Sequence, residues 1–133
     1  VLEATGYYTD ESILRKIDLM RMPWDELSPG FRARMVAMHG EAGASVTWAH
    51  IVRHRESYIM DESYDLRPTL PRVAAPCLLI AGDRDFYFSK KHARTGVDLL
   101  RWVDFWCPEN IGHDVHEEIP DSFSERVLQF LDS

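Results

Sequence analysis

The chain has 133 residues, of which 45% are hydrophobic and 28% charged, and its formal net charge at pH 7 is −7. This composition is typical of one modest globular domain and excludes a disordered chain. The acidic balance argues against a nucleic-acid-binding protein, which would show a basic face. No apolar run approaches the roughly 18 residues of a membrane-spanning helix, so no membrane partner is expected either.

Two cysteines, Cys77 and Cys107, are too few for a disulfide framework. They stand at opposite ends of two predicted strands, and a disulfide cannot span that distance if the strands run parallel. We therefore predict two buried free thiols in a reducing compartment. The first twenty residues include four acidic side chains and no cationic start to an apolar stretch. The sequence thus shows no secretory signal, and a cytoplasmic location is expected.

Residues 10–65 are predicted to form a helical layer. Asp10 can cap a first helix, whose apolar side chains follow helical spacing as far as Met20. A second helix is expected to end at Gly40, and a third to follow it as far as Ile59. No strand is predicted in this half of the chain.

Residues 65–133 have a different pattern. A continuous apolar run at 77–81 is typical of a strand that is covered on both faces, and residues 102–106 are predicted to form a second strand. A helix that begins after Ser89 separates the two strands, and a last helix begins near Pro120. Strand, helix, strand and helix joined by short links indicate a parallel βαβα unit, so the predicted fold class is α/β.

The number of predicted strands has a consequence of its own, because two parallel strands do not make a stable open sheet. We expect the strand at 77–81 to have residues 102–106 on one side and a strand from outside this sequence on the other. The side chains of Leu78 and Ile80 would then be left uncovered. The predicted partner is the remainder of a larger sheet, or a second copy of the chain.

Two short segments can carry chemistry. Gly-Asp-Arg-Asp at 82–85 directly follows the first strand, and Gly-His at 112–113 follows the second. Because the carboxyl ends of parallel strands meet at the same edge of a sheet, Asp85 and His113 are expected within hydrogen-bonding reach. A carboxylate that orients a histidine is the acid–base half of a nucleophile–His–acid triad. Taken singly, Asp85 could be a turn residue and His113 a loop histidine.

These segments carry a resemblance to a known family. Residues 65–85 resemble the penultimate strand of the α/β-hydrolase superfamily and the segment that leads into it. Residues 112–131 resemble the histidine loop and the final helix of that family, and the acid precedes the histidine as it does there. The resemblance implies a partial α/β-hydrolase fold, in which residues 1–64 are the helical cap and residues 65–133 are the C-terminal part of the core.

The resemblance implies that Asp85 is the catalytic acid and His113 the catalytic base of an esterase-like hydrolase. It implies a small-molecule substrate and neither a metal nor an organic cofactor. The sequence lacks the nucleophile elbow of the family, Gly-x-Ser-x-Gly. The nearest segment, Gly-Ala-Ser at 43–45, has neither a preceding strand nor the second glycine.

The predicted function is therefore hydrolysis of an ester, amide or related bond, with a Ser, Asp or Cys nucleophile that this chain does not contain. The alternative is a non-catalytic fragment or subunit that pairs its open sheet edge with a partner. The sequence indicates neither the substrate nor the residues that bind it.

Other candidate residues have simpler explanations. His50 and His54 lie one helical turn apart, as zinc ligands can, but no third ligand accompanies them. A solvated helix face is favoured, and no metal site is predicted. Asp83 competes with Asp85 for the acid position, and His116 is interpreted as part of the loop structure.

Overall fold

The computed structural model describes residues 1–19, 21–57 and 63–133. Met20 and Ile59, the predicted ends of two helices, lie outside the described residues, and so does the side chain of His54.

Two compact units divide the chain. One is a helical unit, Asp10–Ser63, and the other is built around a sheet and combines Val1–Thr9 with Tyr64–Ser133. The first nine residues, which the resemblance assigns to the helical cap, therefore belong to the sheet unit.

The helical unit contains helices α1 (Glu11–Leu19) and α2 (Pro29–Ser57). As predicted, Asp10 caps α1, because its carboxylate accepts a hydrogen bond of 3.1 Å from the backbone N–H of Ile13. Helix α2 is interrupted at Gly40, where the second helix was expected to end and where φ is 73°. This left-handed conformation strains a residue that has a Cβ atom, so glycine suits the break.

A small apolar core stabilises the helical unit. The indole N–H of Trp48 donates a hydrogen bond of 2.8 Å to the carbonyl of Met22, and the Trp48 ring meets that of Phe31 edge-on at a centroid distance of 5.3 Å. The other buried members of this core are Leu27, Met35 and Ala44.

Three parallel strands form the sheet of the other unit, in the order β1 (Leu2–Glu3), β2 (Cys77–Ile80) and β3 (Val103–Trp106). Residue Leu2 pairs with Leu79, in the middle of β2. Both strands predicted from the sequence are confirmed, and so is their parallel direction.

Strand β1 corrects one expectation. The prediction that the second neighbour of β2 comes from outside this sequence is wrong, because β1 occupies that side. With two residues, β1 is too short to show the alternation of apolar and polar positions by which a strand is recognised in a sequence.

Helices cover both faces of β2. Leu78 and Ile80 are fully buried against Val115 and against apolar side chains of helix α5 (Pro120–Leu131), which begins at the predicted proline. The prediction that these two side chains are uncovered is therefore wrong. Leu79 points to the other face, into a cluster that includes side chains of helix α3 (Lys90–Leu99).

The two cysteines are free, as predicted, but only Cys77 is buried, while Cys107 after β3 is half-buried. Among the described residues, no helix is both long enough and apolar enough to cross a membrane.

Candidate active site at the ends of β2 and β3

Asp85 lies in the turn that follows β2, and its carboxylate is held by three hydrogen bonds. Oδ1 accepts bonds from the backbone N–H groups of Tyr87 at 2.7 Å and Phe88 at 3.0 Å. Oδ2 lies 3.0 Å from Nδ1 of His113. The side chain of Asp85 has no exposed surface, so its charge is fixed in place by these donors.

His113 lies in the loop between β3 and the short helix α4 (Val115–Glu118). Its side chain is 30% exposed, so the ring reaches the surface while Nδ1 contacts Asp85. The ring of Tyr87 packs edge-on against it at a centroid distance of 4.7 Å, and the ring of Phe88 lies at 5.9 Å. The predicted contact between acid and histidine is thus present, and its catalytic role stays a prediction.

The two side chains change each other's ionisation. The hydrogen bond that His113 donates to Asp85 is the largest influence on the histidine and raises the pKa of the imidazole above its usual value, against the opposing effect of burial. Burial by itself would raise the pKa of the Asp85 carboxyl. The hydrogen bonds from His113, Phe88 and Tyr87 outweigh it, and the pKa is lowered. The pair therefore favours an ionised carboxylate beside a histidine that takes up a proton readily.

Backbone contacts join the Asp85 turn to the His113 loop. The N–H of Arg84 donates to the carbonyl of Ile111 at 2.9 Å, and the carboxylate of Asp83 accepts a bond of 3.3 Å from the N–H of Ile111. Asp83 thus bridges the loops, whereas Asp85 is the carboxylate that meets the histidine.

Gly82 makes this close approach possible. A Cβ atom at this position would lie 2.0 Å from the carbonyl oxygen of Gly112 and 2.3 Å from that of Ile111. Both are backbone atoms, so a side chain here would push the two loops apart.

Two carboxylates that the sequence did not indicate also touch the histidine loop. Oε1 of Glu118 accepts a bond of 3.0 Å from the N–H of Gly112. Oε1 of Glu3 accepts a bond of 2.9 Å from the N–H of His116. Glu118 had a detectable signal, since it follows Gly112 by only six residues, at the end of the short helix after the loop. Glu3 had none, because no strand was predicted at the start of the chain.

The remaining candidates do not join this site. His50 is exposed on α2, in the helical unit. Ser45 also lies inside α2 and not on a turn between a strand and a helix, the location that a nucleophile elbow requires. No cluster of three or more His, Cys, Asp or Glu side chains that could hold a metal ion occurs in the described part of the chain.

Solved structures show which fold this is, although no protein-family model and no curated protein matches the sequence. MGS-M2, an α/β-hydrolase enzyme from a Medee basin deep-sea metagenome library, superposes with a TM-score of 0.75 at 16% identity over 98% of this chain and 55% of its own. A hydrolase from Pseudomonas aeruginosa PA01 superposes with a TM-score of 0.67 at 20% identity, over 99% of this chain and 54% of its own. MenH from S. aureus superposes with a TM-score of 0.67 at 20% identity, over 98% of this chain and 57% of its own.

The protein has part of an α/β-hydrolase fold, and the resemblance seen in the sequence is confirmed at the level of the fold. The chain spans about 55% of the length of the first of these structures.

Proposed function

We propose that Asp85 and His113 are the acid and the base of a nucleophile–His–acid hydrolase. The observation that carries the proposal is their hydrogen bond of 3.0 Å, made at the carboxyl ends of two neighbouring parallel strands of a partial α/β-hydrolase fold. Open α/β sheets bind their ligands at this edge.

The hydrogen bond defines the roles of the two nitrogens of His113. With Nδ1–H donated to the buried carboxylate of Asp85, Nε2 is the atom that would accept a proton from the nucleophile or from the hydrolytic water. It would then return that proton to the leaving group. The raised pKa of His113 fits this task, because Asp85 stabilises the imidazolium that forms on the way.

The nucleophile, a Ser, Asp or Cys, would come from a segment outside these 133 residues. A hydroxyl or thiol would be deprotonated by His113, attack the carbonyl carbon of an ester or amide and form an acyl-enzyme. An Asp would attack directly, and His113 would then activate the water that releases the product. Both routes use Asp85 and His113 in the same roles.

The aromatic side chains of the Asp85 turn support a proposal about the substrate class. Phe86 is 56% exposed, and Tyr87 packs against the histidine ring from the same turn. Apolar surface next to the base suits a small ester or related compound with an apolar group near its scissile bond. We also propose that the helical unit is the cap of such an enzyme. We further propose that the protein is cytoplasmic.

The test is expression of the chain in frame with the coding sequence that precedes it, followed by an assay of p-nitrophenyl acetate hydrolysis. We expect turnover, with kcat lowered about 10³-fold or more by His113→Ala and strongly by Asp85→Asn. The matched control His50→Gln, which replaces an exposed histidine of α2 outside the proposed acid–base pair, should leave kcat unchanged. Turnover that survives His113→Ala would refute the proposal.

A non-catalytic subunit is the second candidate function. It is favoured by the small size of the sheet, in which β1 has two residues, and by Trp102, which is 66% exposed just before the edge strand β3. A partner strand could add to such an edge. This candidate gains support if the preceding coding sequence has no strand–elbow–helix segment and if the purified chain sediments as a dimer.

A further inference from the structure

Glu3 connects the first strand of the sheet to the helix that follows His113. Its Oε1 accepts a hydrogen bond of 2.9 Å from the backbone N–H of His116 and lies 2.9 Å from Nδ1 of the same residue. The two residues are 113 positions apart in the chain. One carboxylate oxygen thus holds both the backbone and the ring of His116.

The hydrogen bond from the His116 N–H to Glu3 provides an acceptor for the first turn of helix α4. The first N–H groups of a helix have no acceptor within it, and the residue that precedes α4, Asp114, makes no capping hydrogen bond with its side chain. Glu3 supplies an acceptor from another strand.

Three contacts therefore fix the segment that contains His113. The ring is bonded to Asp85, the N–H of Gly112 is bonded to Glu118, and the turn that follows is bonded to Glu3. Only the contact with Glu3 comes from β1. The segment that contains His113 is thus bonded to the first strand as well as to the turn after β2.

We propose that Glu3 is a positioning residue for His113, which it acts on through His116 and helix α4. The inference rests on the proposed function, because it assigns a purpose to a contact next to the base. Glu3 contacts His116 and neither Asp85 nor His113, so it is not a catalytic residue.

The charges around His116 come from several elements. Glu3 faces it from β1, Oε1 of Glu117 in α4 lies 4.0 Å from its Nε2, and Asp114 precedes the helix. The ring of Phe123 in α5 is 6.0 Å away. The hydrogen bond with Glu3 is the largest influence and raises the pKa of His116, to which Glu117 and Asp114 add. Glu3 also contributes, after Asp85 and Asp114, to the raised pKa of His113.

The test compares Glu3→Gln with Glu117→Gln in the 133-residue chain, by NMR titration of the histidine rings and by exchange of the His116 amide. Both variants remove one negative charge near His116, but only Glu3→Gln removes the carboxylate that holds the backbone of α4. In Glu3→Gln we expect the pKa of both His116 and His113 to fall and the His116 amide to exchange at least about tenfold faster. In Glu117→Gln, amide exchange and the pKa of His113 should stay close to the wild-type values.

Two results would overturn the inference. One is a pKa of His113 that does not change in Glu3→Gln, and the other is an equal change of that pKa and of His116 amide exchange in Glu3→Gln and Glu117→Gln. His116→Ala provides a second measurement, because it keeps the backbone bond and loses the ring contact. In His116→Ala the amide of residue 116 should therefore exchange more slowly than it does in Glu3→Gln. Thermal unfolding of each variant verifies that the sheet is intact. None of these measurements needs turnover, so they are separate from the kinetic test of the proposed function. Turnover of the longer protein that survives His113→Ala would refute that function, whereas the titration and exchange results decide whether Glu3 positions His113.

Discussion

Oδ2 of Asp85 and Nδ1 of His113 lie 3.0 Å apart, although 28 positions separate the two residues in the chain. Strands β2 and β3 run parallel and in register, so the turns that follow them begin at the same edge of the sheet. Gly82 lets the two turns touch through their backbones. The sheet and the turns that follow its strands therefore bring the pair together.

The coupling of Asp85 and His113 predicts how the free energy of unfolding depends on pH. The lowered pKa of Asp85 contributes stability above its unfolded value of about 3.9, and this is lost as the pH falls through the folded value. The raised pKa of His113 contributes stability below about 6.5, and this is lost as the pH rises through the folded value. Both contributions are present between about pH 4 and pH 6.5.

Urea unfolding of the wild type and of Asp85→Asn across this range measures the effect. Asp85→Asn should lower the free energy of unfolding by about 1.5–3 kcal/mol between pH 4 and 6.5, as expected for a hydrogen bond to a charged group. The difference between the two proteins should shrink below and above that window. A difference that stays constant from pH 3 to pH 9 would show that the two groups are not coupled.

Gly82→Ala should damage the site through the backbone. The new Cβ atom would lie 2.0 Å from the carbonyl oxygen of Gly112, and no flexible side chain is there to give way. We expect a loss of about 1–3 kcal/mol in the free energy of unfolding and a fall in the pKa of His113 as the loops separate.

The control for this substitution is Gly43→Ala. Its Cβ atom would make an ordinary contact of 3.5 Å with His39 inside helix α2, so the free energy of unfolding of this variant should rise by about 0.5–1 kcal/mol. Equal stabilities of the two variants by chemical denaturation would contradict the proposed tight approach at Gly82.

Tyr7 is a buried side chain that carries an unsatisfied polar atom. Its hydroxyl is buried, makes no hydrogen bond within the described part of the chain, and has a pKa raised by burial to about 12. Tyr7→Phe removes an unsatisfied polar atom and keeps the ring, so we expect the free energy of unfolding to rise by about 1 kcal/mol.

Tyr64→Phe is the matched control, because the Tyr64 hydroxyl donates a bond of 3.2 Å to the carbonyl of Gly6. Its loss should destabilise the protein by about 1 kcal/mol. A loss in Tyr7→Phe as large as in the control would mean that the Tyr7 hydroxyl has a partner.

The features that the sequence predicted correctly have strong local signals. Strand β2 is a continuous apolar run, α5 begins at Pro120, and the break in α2 is at a glycine. The contact of Asp85 with His113 needed one further step, the rule that neighbouring parallel strands end at the same edge.

The features that were missed depend on pairings between distant parts of the chain. Strand β1 has no pattern of its own and exists because Leu2 and Glu3 pair with β2. The burial of Ile80 depends on α5 folding back over the sheet. The contact of Glu3 with His116 likewise depends on the pairing of β1 with β2, which no local sequence pattern predicts.

The isolated chain should not hydrolyse p-nitrophenyl acetate faster than the same concentration of a histidine-containing peptide. The nucleophile and the oxyanion hole account for most of the catalysis in sites of this kind, and this sequence has no nucleophile elbow. Ser89 is the serine nearest to the site in sequence, but its Oγ lies 3.1 Å from Nδ1 of His92, a histidine that is 1% exposed at the start of α3. Ser89→Ala should therefore leave the background rate unchanged, as should His113→Ala. Clear turnover at pH 7.5 that is abolished by His113→Ala would show that a nucleophile lies within these 133 residues, and a further loss in Ser89→Ala or Ser45→Ala would identify it.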